Sequence, residues 1–266
     1  MSLATSNGVQ VAFDDAGTGE PILLCLPGWC THKTLFTPLV ERLSANHRVL
    51  ALDWPGHGES ETPATDFGYA ELVESTLAVI EASRAQQVIP IAQSHAGWVA
   101  IELRRRLGER VPRIVLISWI VLDPPPPFLN ALQALQDPER WRETVGQLFA
   151  MWLDSAPPAV DQQIRQQMGS HSFEMWARAG REIIAMYGRE GSPLKALSTL
   201  DPPVPVLHTY AQPRAPEYLA AQEAFAHDHP WFTVRRVEAI SHFPMLEAPD
   251  ATAAAIDAFV RSFAMH

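Results

Sequence analysis

Short apolar runs alternate with helix-like stretches along the first half of the chain and again near its end. Six apolar runs predict buried strands: Pro21–Leu26, Val49–Asp53, Val88–Ala92, Ile114–Ile117, Val204–Leu207 and Phe232–Val237. Helical patterns predict helices over Thr34–Leu43, Tyr69–Ser83, Trp98–Leu107 and Ala251–Phe263. Strands that alternate with helices indicate a mostly parallel central sheet with helices on both faces. Because such sheets bind ligands at the carboxyl ends of their strands, we expect the chemistry just after each strand.

The strand signal disappears between residues 122 and 200. This stretch carries large aromatic residues in helix-like spacing: Phe128, Trp141, Phe149, Trp152, Phe173 and Trp176. A chain of 266 residues can bury one sizeable core, so a single α/β domain with an insertion is favoured over two domains. We therefore predict a core formed by residues 1–121 and 201–266, with an inserted helical cap over residues 122–200.

Composition and charge narrow the classes of partner. The formal net charge of −10 disfavours a nucleic-acid partner, because phosphate binding needs clustered Lys and Arg. No apolar run reaches the roughly 18 residues that a membrane span needs. Residues 1–8 lack the basic-then-apolar pattern of a signal peptide, so a cytoplasmic protein is expected. Two cysteines, Cys25 and Cys30, are too few for a disulfide framework or a cysteine-rich zinc site.

The strongest local signal is the stretch from Ile91 to Trp98, in which a buried strand leads directly into Ser94 and then into a helix. This is the layout of the nucleophile elbow in α/β hydrolases. Ala92 and Ala96 stand where the elbow usually has glycines. The alternative is an ordinary strand-to-helix turn with a capping serine.

Two loops after strands add to this interpretation. Leu26–Cys30 follows the first buried strand, where this fold supplies one backbone N–H to an oxyanion hole. The amides of Trp29 and His95 are the candidates here, and a plain Pro-Gly turn is the alternative. Asp53–Ser60 resembles a glycine-containing turn of the same fold, in which we interpret His57 as a packed loop residue.

The candidate general base is His242, which lies in the segment Ser241–Pro244 shortly before the last predicted helix. Imidazole has a suitable pKa for proton abstraction near neutrality. His95, His208, His227 and His229 are the competing histidines. Only His242 has the correct position relative to the final strand and helix.

A hydrolase triad also needs a carboxylate that orients the histidine. The segment after Val204–Leu207 contains no acidic residue as far as Pro213. After the strand ending at Ile117 the corresponding position is Ser118, and the nearest acid is Asp123. Either Asp123 or the weaker partner Ser118 could accept a hydrogen bond from the imidazole, and a neutral partner would lower the pKa of the base.

With these pieces in place, the chain resembles the cofactor-independent 3-hydroxy-4(1H)-oxoquinoline 2,4-dioxygenases, which have the α/β-hydrolase fold. The likeness spans about residues 20–262. Its core motifs are Leu26–Cys30 (LPGWC), Asp66–Tyr69 (DFGY), Ser94–Val99 (SHAGWV), Gln212–Pro213, Pro216–Tyr218, His229–Phe232 (HPWF) and His242–Pro244 (HFP). Its cap motifs, which general hydrolases do not share, are Asp137–Arg142 (DPERWR), Leu148–Asp154 (LFAMWLD) and Gly188–Pro193 (GREGSP).

The resemblance implies unusual chemistry. A histidine deprotonates the 3-hydroxyl of a 3-hydroxy-4-quinolone carrying hydrogen or an alkyl group at position 2. The anion then reacts with O2 without metal or flavin, and a cyclic peroxide collapses to carbon monoxide and an N-acylanthranilate. By this resemblance His242 is the base and Ser94 hydrogen-bonds the substrate.

The resemblance also implies substrate-binding positions. Trp29 and Trp152 line the pocket, and the amides of Trp29 and His95 face substrate oxygens. The chain departs from the family at two further positions. Ser118 replaces the family's acid, and Thr31 replaces a histidine of the family.

Two other functions stay open at this level. A serine hydrolase acting on esters or amides would use Ser94 as nucleophile and His242 as base. A non-catalytic ligand-binding member of the fold would explain Ser118 at the acid position. The oligomeric state cannot be inferred from the sequence.

Overall fold

A computed structural model describes residues 1–262 and shows one eight-stranded sheet in the order β1-β2-β4-β3-β5-β6-β7-β8. The strands are β1 (Ser2–Ser6), β2 (Val9–Ala16), β3 (Ile22–Leu26), β4 (Val49–Leu52), β5 (Val88–Gln93), β6 (Ile114–Ile117), β7 (Val206–Tyr210) and β8 (Phe232–Arg236). The β1–β2 and β2–β4 pairs are antiparallel, whereas every pair from β4 to β8 is parallel. The predicted mostly parallel sheet is therefore confirmed.

Helices cover both faces of the sheet, and further helices make up the segment between β6 and β7. They are α1 (Thr37–Leu43), α2 (Tyr69–Ser83), α3 (Gly97–Leu107), α4 (Pro126–Ala134), α5 (Trp141–Trp152), α6 (Pro158–Gly169), α7 (Phe173–Glu190), α8 (Pro193–Ser198), α9 (Pro216–Asp228), α10 (Pro244–Glu247) and α11 (Pro249–Arg261). Phe263, the last residue of the predicted final helix, and residues 264–266 of the predicted core lie outside the described range. Within that range, none of the helices combines the length and the apolar character that a membrane crossing requires.

All six predicted strands are present, but the β1–β2 hairpin was missed. The physical reason is visible in its burial: residues of β1 alternate between exposed and buried, and β2 is only partly covered. Five of the six predicted strands, β3 to β7, by contrast consist entirely of buried residues, whereas β8 is partly exposed. An edge hairpin with one solvent-exposed face does not have the continuous apolar run that is typical of a central parallel strand.

Five helices, α4 to α8, form the segment between β6 and β7. Its interior is aromatic: the rings of Trp141 and Phe173 lie 5.9 Å apart, and those of Phe149 and Trp176 lie 6.2 Å apart. These contacts join α5 to α7. The division of the chain into a core and a cap at residues 122–200 stays our prediction, and the position of these helices along the chain supports it.

The start of α3 approaches the end of β6 closely. A methyl group added to Gly97 would come 2.2 Å from a ring carbon of Trp119. Trp119 is fully buried and packs edge-on against Trp98 at 4.8 Å between ring centroids. The absence of a side chain at Gly97 therefore allows the start of α3 to lie against the indole ring of Trp119.

We predict that Gly97→Ala lowers the free energy of unfolding by about 1–3 kcal/mol, because Trp119 must move within a close-packed interior. Gly146→Ala is the matched control, since nothing lies within 4 Å of the added methyl group on α5. That control should be neutral or stabilising by up to about 1 kcal/mol, because alanine is the better helix former. Urea unfolding of both variants measures the difference, and equal stabilities would contradict the proposed close approach.

Candidate active site

Ser94 occupies a strained turn directly after β5. Its φ of +53° lies in the left-handed region that non-glycine residues rarely adopt. Its small neighbours Ala92 and Ala96 are buried, so the chain can turn tightly from β5 into α3. The backbone therefore has the elbow geometry that the sequence predicts, and Ser94 is left half-buried rather than covered.

The hydroxyl of Ser94 pairs with the next residue. Ser94 Oγ lies 3.1 Å from Nδ1 of His95. The His95 ring stacks on Phe128 at 5.7 Å with 7° between the planes. Burial, with a smaller contribution from nearby His242, lowers the pKa of His95 to about 3, so its ring is neutral at physiological pH.

His242 lies on the loop between β8 and α10. Its backbone N–H donates to the carbonyl of Trp152 at 2.9 Å, and its ring lies nearly parallel to the Trp152 ring, with 5.6 Å between centroids. Glu247 fixes the loop, because its carboxylate accepts the backbone N–H groups of Ile240 and Ser241 at 2.8 and 2.7 Å. No sequence motif indicates this role of Glu247.

Burial also sets the charge of His242. It lowers the pKa of the imidazole from 6.5 to about 4. Within residues 1–262 the ring nitrogens of His242 accept and donate no hydrogen bond. His242 is therefore a neutral imidazole, and its unprotonated ring nitrogen can accept a proton from a bound molecule.

The loop between β3 and α1 holds one backbone amide ready for a ligand. Gly28 N–H donates to Gln93 Oε1 at 2.9 Å, and Cys30 N–H donates to Nε2 of His57 at 3.0 Å. The amide of Trp29, between them, has no hydrogen-bond partner among the described residues. His57 thus has a structural contact, and the Trp29 amide is available in the way that the sequence predicts for an oxyanion donor.

These residues meet at two adjoining cavities, which we call the inner and the outer chamber. The inner chamber has a volume of about 40 Å³. Six of the predicted site residues line it: Trp29, Thr31, Ser94, His95, Trp152 and His242. The outer chamber, of about 490 Å³, shares Ser94, His95, Trp152 and His242 with it. Phe128 and Leu148 line both chambers, so the walls are largely apolar and aromatic.

The two candidate partners of His242 lie elsewhere. Ser118 follows β6 with a φ of +48° and is fully buried, and among the described residues its hydroxyl has no hydrogen-bond partner. Asp123 is exposed. Neither residue is among those that line the two chambers. The structure therefore brings six of the eight predicted site residues together and leaves Ser118 and Asp123 outside.

Some residues of the chambers were not singled out from the sequence. Trp119 and Arg214 line the outer chamber, and Phe128 was noted only as an aromatic residue of the cap. No local motif distinguishes such positions, because they come together only when the helices between β6 and β7 pack against loops at the end of the sheet. Across residues 1–262, no cluster of three or more His, Cys, Asp or Glu side chains is arranged to hold a metal ion.

Several histidines of this protein, two of them in the site, are buried and have lowered pKa values. Burial is the largest cause of a lowered pKa at five positions, with values of about 3 or 4: His57, His95, His171, His208 and His242. The unfolded chain binds protons at these positions below pH 6.5, whereas the folded chain binds them only near pH 3–4. Their contribution to stability is complete above pH 6.5 and is lost as the pH falls towards the folded values.

We therefore predict that the free energy of unfolding is flat from pH 8 to 7 and falls between pH 6.5 and 5, before most carboxylates titrate. His57→Gln keeps an acceptor for the Cys30 amide, so it should flatten this slope, whereas exposed His227→Gln should leave it unchanged. Urea unfolding at each pH measures the slope. A stability that stays constant down to pH 5 would be incompatible with these buried neutral rings.

Comparison with known proteins agrees with this geometry. The profile of the alpha/beta hydrolase family matches residues 23–255. A 2-heptyl-3-hydroxy-4(1H)-quinolone dioxygenase from Mycobacteroides abscessus is 38% identical over 261 residues, which cover 97% of each chain. A 1H-3-hydroxy-4-oxoquinoline 2,4-dioxygenase from Pseudomonas putida is 34% identical over 98% of this chain and 100% of its own.

A solved structure gives the same result. It is an AqdC variant in complex with its substrate, described as the basis for recognition and ring cleavage of the Pseudomonas quinolone signal. That structure superposes with a TM-score of 0.93 at 37% identity, covering 98% of this chain and 99% of its own. The chain therefore belongs to the α/β-hydrolase family and, within it, to the 3-hydroxy-4-quinolone 2,4-dioxygenases.

Proposed function

We propose that this protein is a dioxygenase that cleaves the N-heteroaromatic ring of a 3-hydroxy-4(1H)-quinolone with O2, releasing an N-acylanthranilate and carbon monoxide. The observation that supports this most directly is the neutral imidazole of His242, which is unpaired among the described residues and lies on the wall of an aromatic chamber shared with Ser94. The family membership and the activities of the relatives agree with it. The small-molecule substrate and O2 are the partners, and the proposal includes no cofactor.

His242 begins the reaction by accepting the proton of the substrate 3-hydroxyl. The resulting imidazolium and the quinolone anion lie side by side in a poorly hydrated chamber, where their attraction is much stronger than in water. This contact supplies the stabilisation that a carboxylate partner would otherwise give. Asp123 is exposed and outside the chambers, so the proposal gives it no role.

The anion then reacts with O2 through new bonds at C2 and C4, which form a cyclic peroxide. Breakage of the O–O bond and of the two bonds to C3 releases C3 with its oxygen as carbon monoxide. Both atoms of O2 remain in the organic product, one in the acyl group and one in the carboxyl group. His242 then releases the proton that it accepted. The products are carbon monoxide, the N-acylanthranilate anion and this proton, so atoms and charge balance.

Ser94 binds the substrate in this proposal and does not attack it. Its hydroxyl already pairs with His95 at 3.1 Å, and no hydrogen bond joins it to His242 within residues 1–262. The free Trp29 amide and the rings of Trp29 and Trp152 complete the substrate contacts, with Thr31 at the inner end. The outer chamber, of about 490 Å³, is of the size of a ligand pocket and suits an alkyl chain at position 2, as in the substrate that the name of the mycobacterial relative gives.

A cytoplasmic location forms part of the proposal. The two cysteines, Cys25 and Cys30, are free, buried thiols, which is consistent with a reducing compartment.

A serine hydrolase is the second candidate, and the elbow at Ser94 favours it. Hydrolysis needs a base that activates the serine and a group that orients the base. Ser94 pairs instead with His95, whose pKa is lowered to about 3, and the imidazole of His242 has no carboxylate among its contacts in the described residues. The geometry therefore favours the dioxygenase.

The activity test is aerobic incubation of the purified protein with 3-hydroxy-4-quinolones bearing hydrogen, methyl or heptyl at position 2. We expect O2 uptake, carbon monoxide and the matching N-acylanthranilate. His242→Ala should lower kcat/KM by about 10²–10⁴-fold, the usual contribution of a general base, while exposed His227→Ala should retain full activity. Full activity in His242→Ala would rule out the proposed base, and stoichiometric labelling of Ser94 by a fluorophosphonate with ester turnover would favour the hydrolase.

The pH dependence provides a separate test. Because burial lowers the pKa of His242 to about 4, kcat/KM should stay level as the pH falls from 7 to 5 and decline only near pH 4. Below that pH the ring is protonated and cannot accept the substrate proton. Circular dichroism at each pH separates this decline from unfolding. An acid limb at pH 6.5 would show that the imidazole is solvated or paired with an acid.

A further inference from the structure

Arg214 lies on the wall of the outer chamber, in the loop between β7 and α9. The other lining residues in the described part of the chain are apolar, aromatic, neutral polar or, in the case of His95 and His242, imidazoles with lowered pKa values. Arg214 is thus the one permanently charged residue on this wall. It is exposed, which places it where the chamber meets solvent.

The loop that carries Arg214 is fastened to both sides of the site. The side-chain amide of Gln212 donates to the carbonyl of Ile240 at 2.7 Å and to that of Met151 at 3.3 Å. Ile240 belongs to the loop of His242, and Met151 lies on α5 beside Trp152. The position of Arg214 is therefore set relative to the base and to the cap.

Among residues 1–262 the guanidinium of Arg214 forms no ion pair, although exposed Glu217 follows three residues later at the start of α9. Several other cations in the described part of the chain do contact carboxylates, namely Arg42, Arg48, Arg105, Arg106, Arg165, Arg178 and Arg181. An unpaired cation on a cavity wall, in a chain of net charge −10, is suited to an anionic ligand.

The proposed reaction creates such a ligand. A neutral quinolone enters, and C4 leaves as the carboxyl group of an N-acylanthranilate, which is ionised at neutral pH. A carboxylate in an apolar chamber without a cation is costly, because burial disfavours the charged form. The charge is absent from the substrate and present in the product.

We propose that Arg214 and the outer chamber form a carboxylate-binding site that receives the N-acylanthranilate as it leaves His242. This inference rests on the proposed function for the identity of the ligand, but the site itself can be tested by binding alone. Arg214 would favour the anion over a neutral molecule of the same shape and so set the affinity of the product.

The experiment titrates the purified full-length protein with N-octanoylanthranilate and with its neutral carboxamide, and follows binding by calorimetry. Arg214→Gln should weaken binding of the anion about fivefold, the size expected for a part-exposed ion pair, and leave binding of the carboxamide unchanged. Arg214→Lys should restore part of the loss. Arg235→Gln, which removes an exposed charge from β8 outside the chambers, is the matched control and should have no effect.

A second readout uses the reaction. The same N-octanoylanthranilate should inhibit quinolone turnover less strongly in Arg214→Gln than in the unmodified protein. An equal loss for the anion and the carboxamide, an equal loss in Arg235→Gln, or no binding of the anion to the unmodified protein would overturn the inference. If anion binding depends on Arg214 but no quinolone is cleaved, the proposed function fails and the carboxylate site stands.

Discussion

The hydrogen bond from the backbone of His242 to the carbonyl of Trp152 joins the two parts from which the site is built. His242 comes from the loop after β8, and Trp152 ends α5 in the cap segment. The parallel stacking of the two rings covers the imidazole. That burial keeps His242 neutral at physiological pH, and a neutral imidazole is what proton abstraction requires. The inner chamber, the candidate base and its charge all depend on this contact between the loop after β8 and the end of α5.

The same fold serves hydrolysis and oxygen chemistry through small changes around one serine. The left-handed backbone at Ser94 and the free Trp29 amide are hydrolase features. What differs is the pairing: the serine contacts His95, and His242 is left with its ring nitrogens unpaired among the described residues. A histidine without a carboxylate partner is a weak activator of serine, yet it still accepts a proton from an acidic hydroxyl that forms a contact ion pair with it. Membership of the wider α/β-hydrolase family alone does not distinguish these outcomes.

Much of the fold and part of the site could be predicted from the sequence. The central strands are visible because parallel strands are covered on both faces, whereas the β1–β2 hairpin is half-exposed and leaves no such run. Ser94 and His242 could be found because each follows a strand in a fixed chain order. Ser118 and Asp123 could not be decided, since the position of a side chain after a strand depends on the loop conformation. Trp119 and Arg214 line the outer chamber only because distant segments come together, and the hydrogen bonds of Glu247 depend on the conformation of its loop. A single sequence contains no local pattern for either.

The proposed reaction requires a neutral His242 to take the 3-hydroxyl proton of a quinolone held between the two chambers. A crystal structure of the protein with 2-heptyl-3-hydroxy-4(1H)-quinolone, prepared without oxygen at pH 7, would show whether the two groups meet. We expect a ring nitrogen of His242 about 2.6–3.2 Å from the 3-hydroxyl oxygen, with the quinolone against Trp152 and no covalent bond to Ser94. A quinolone bound outside the chambers, or a His242 ring turned away to a carboxylate, would contradict it.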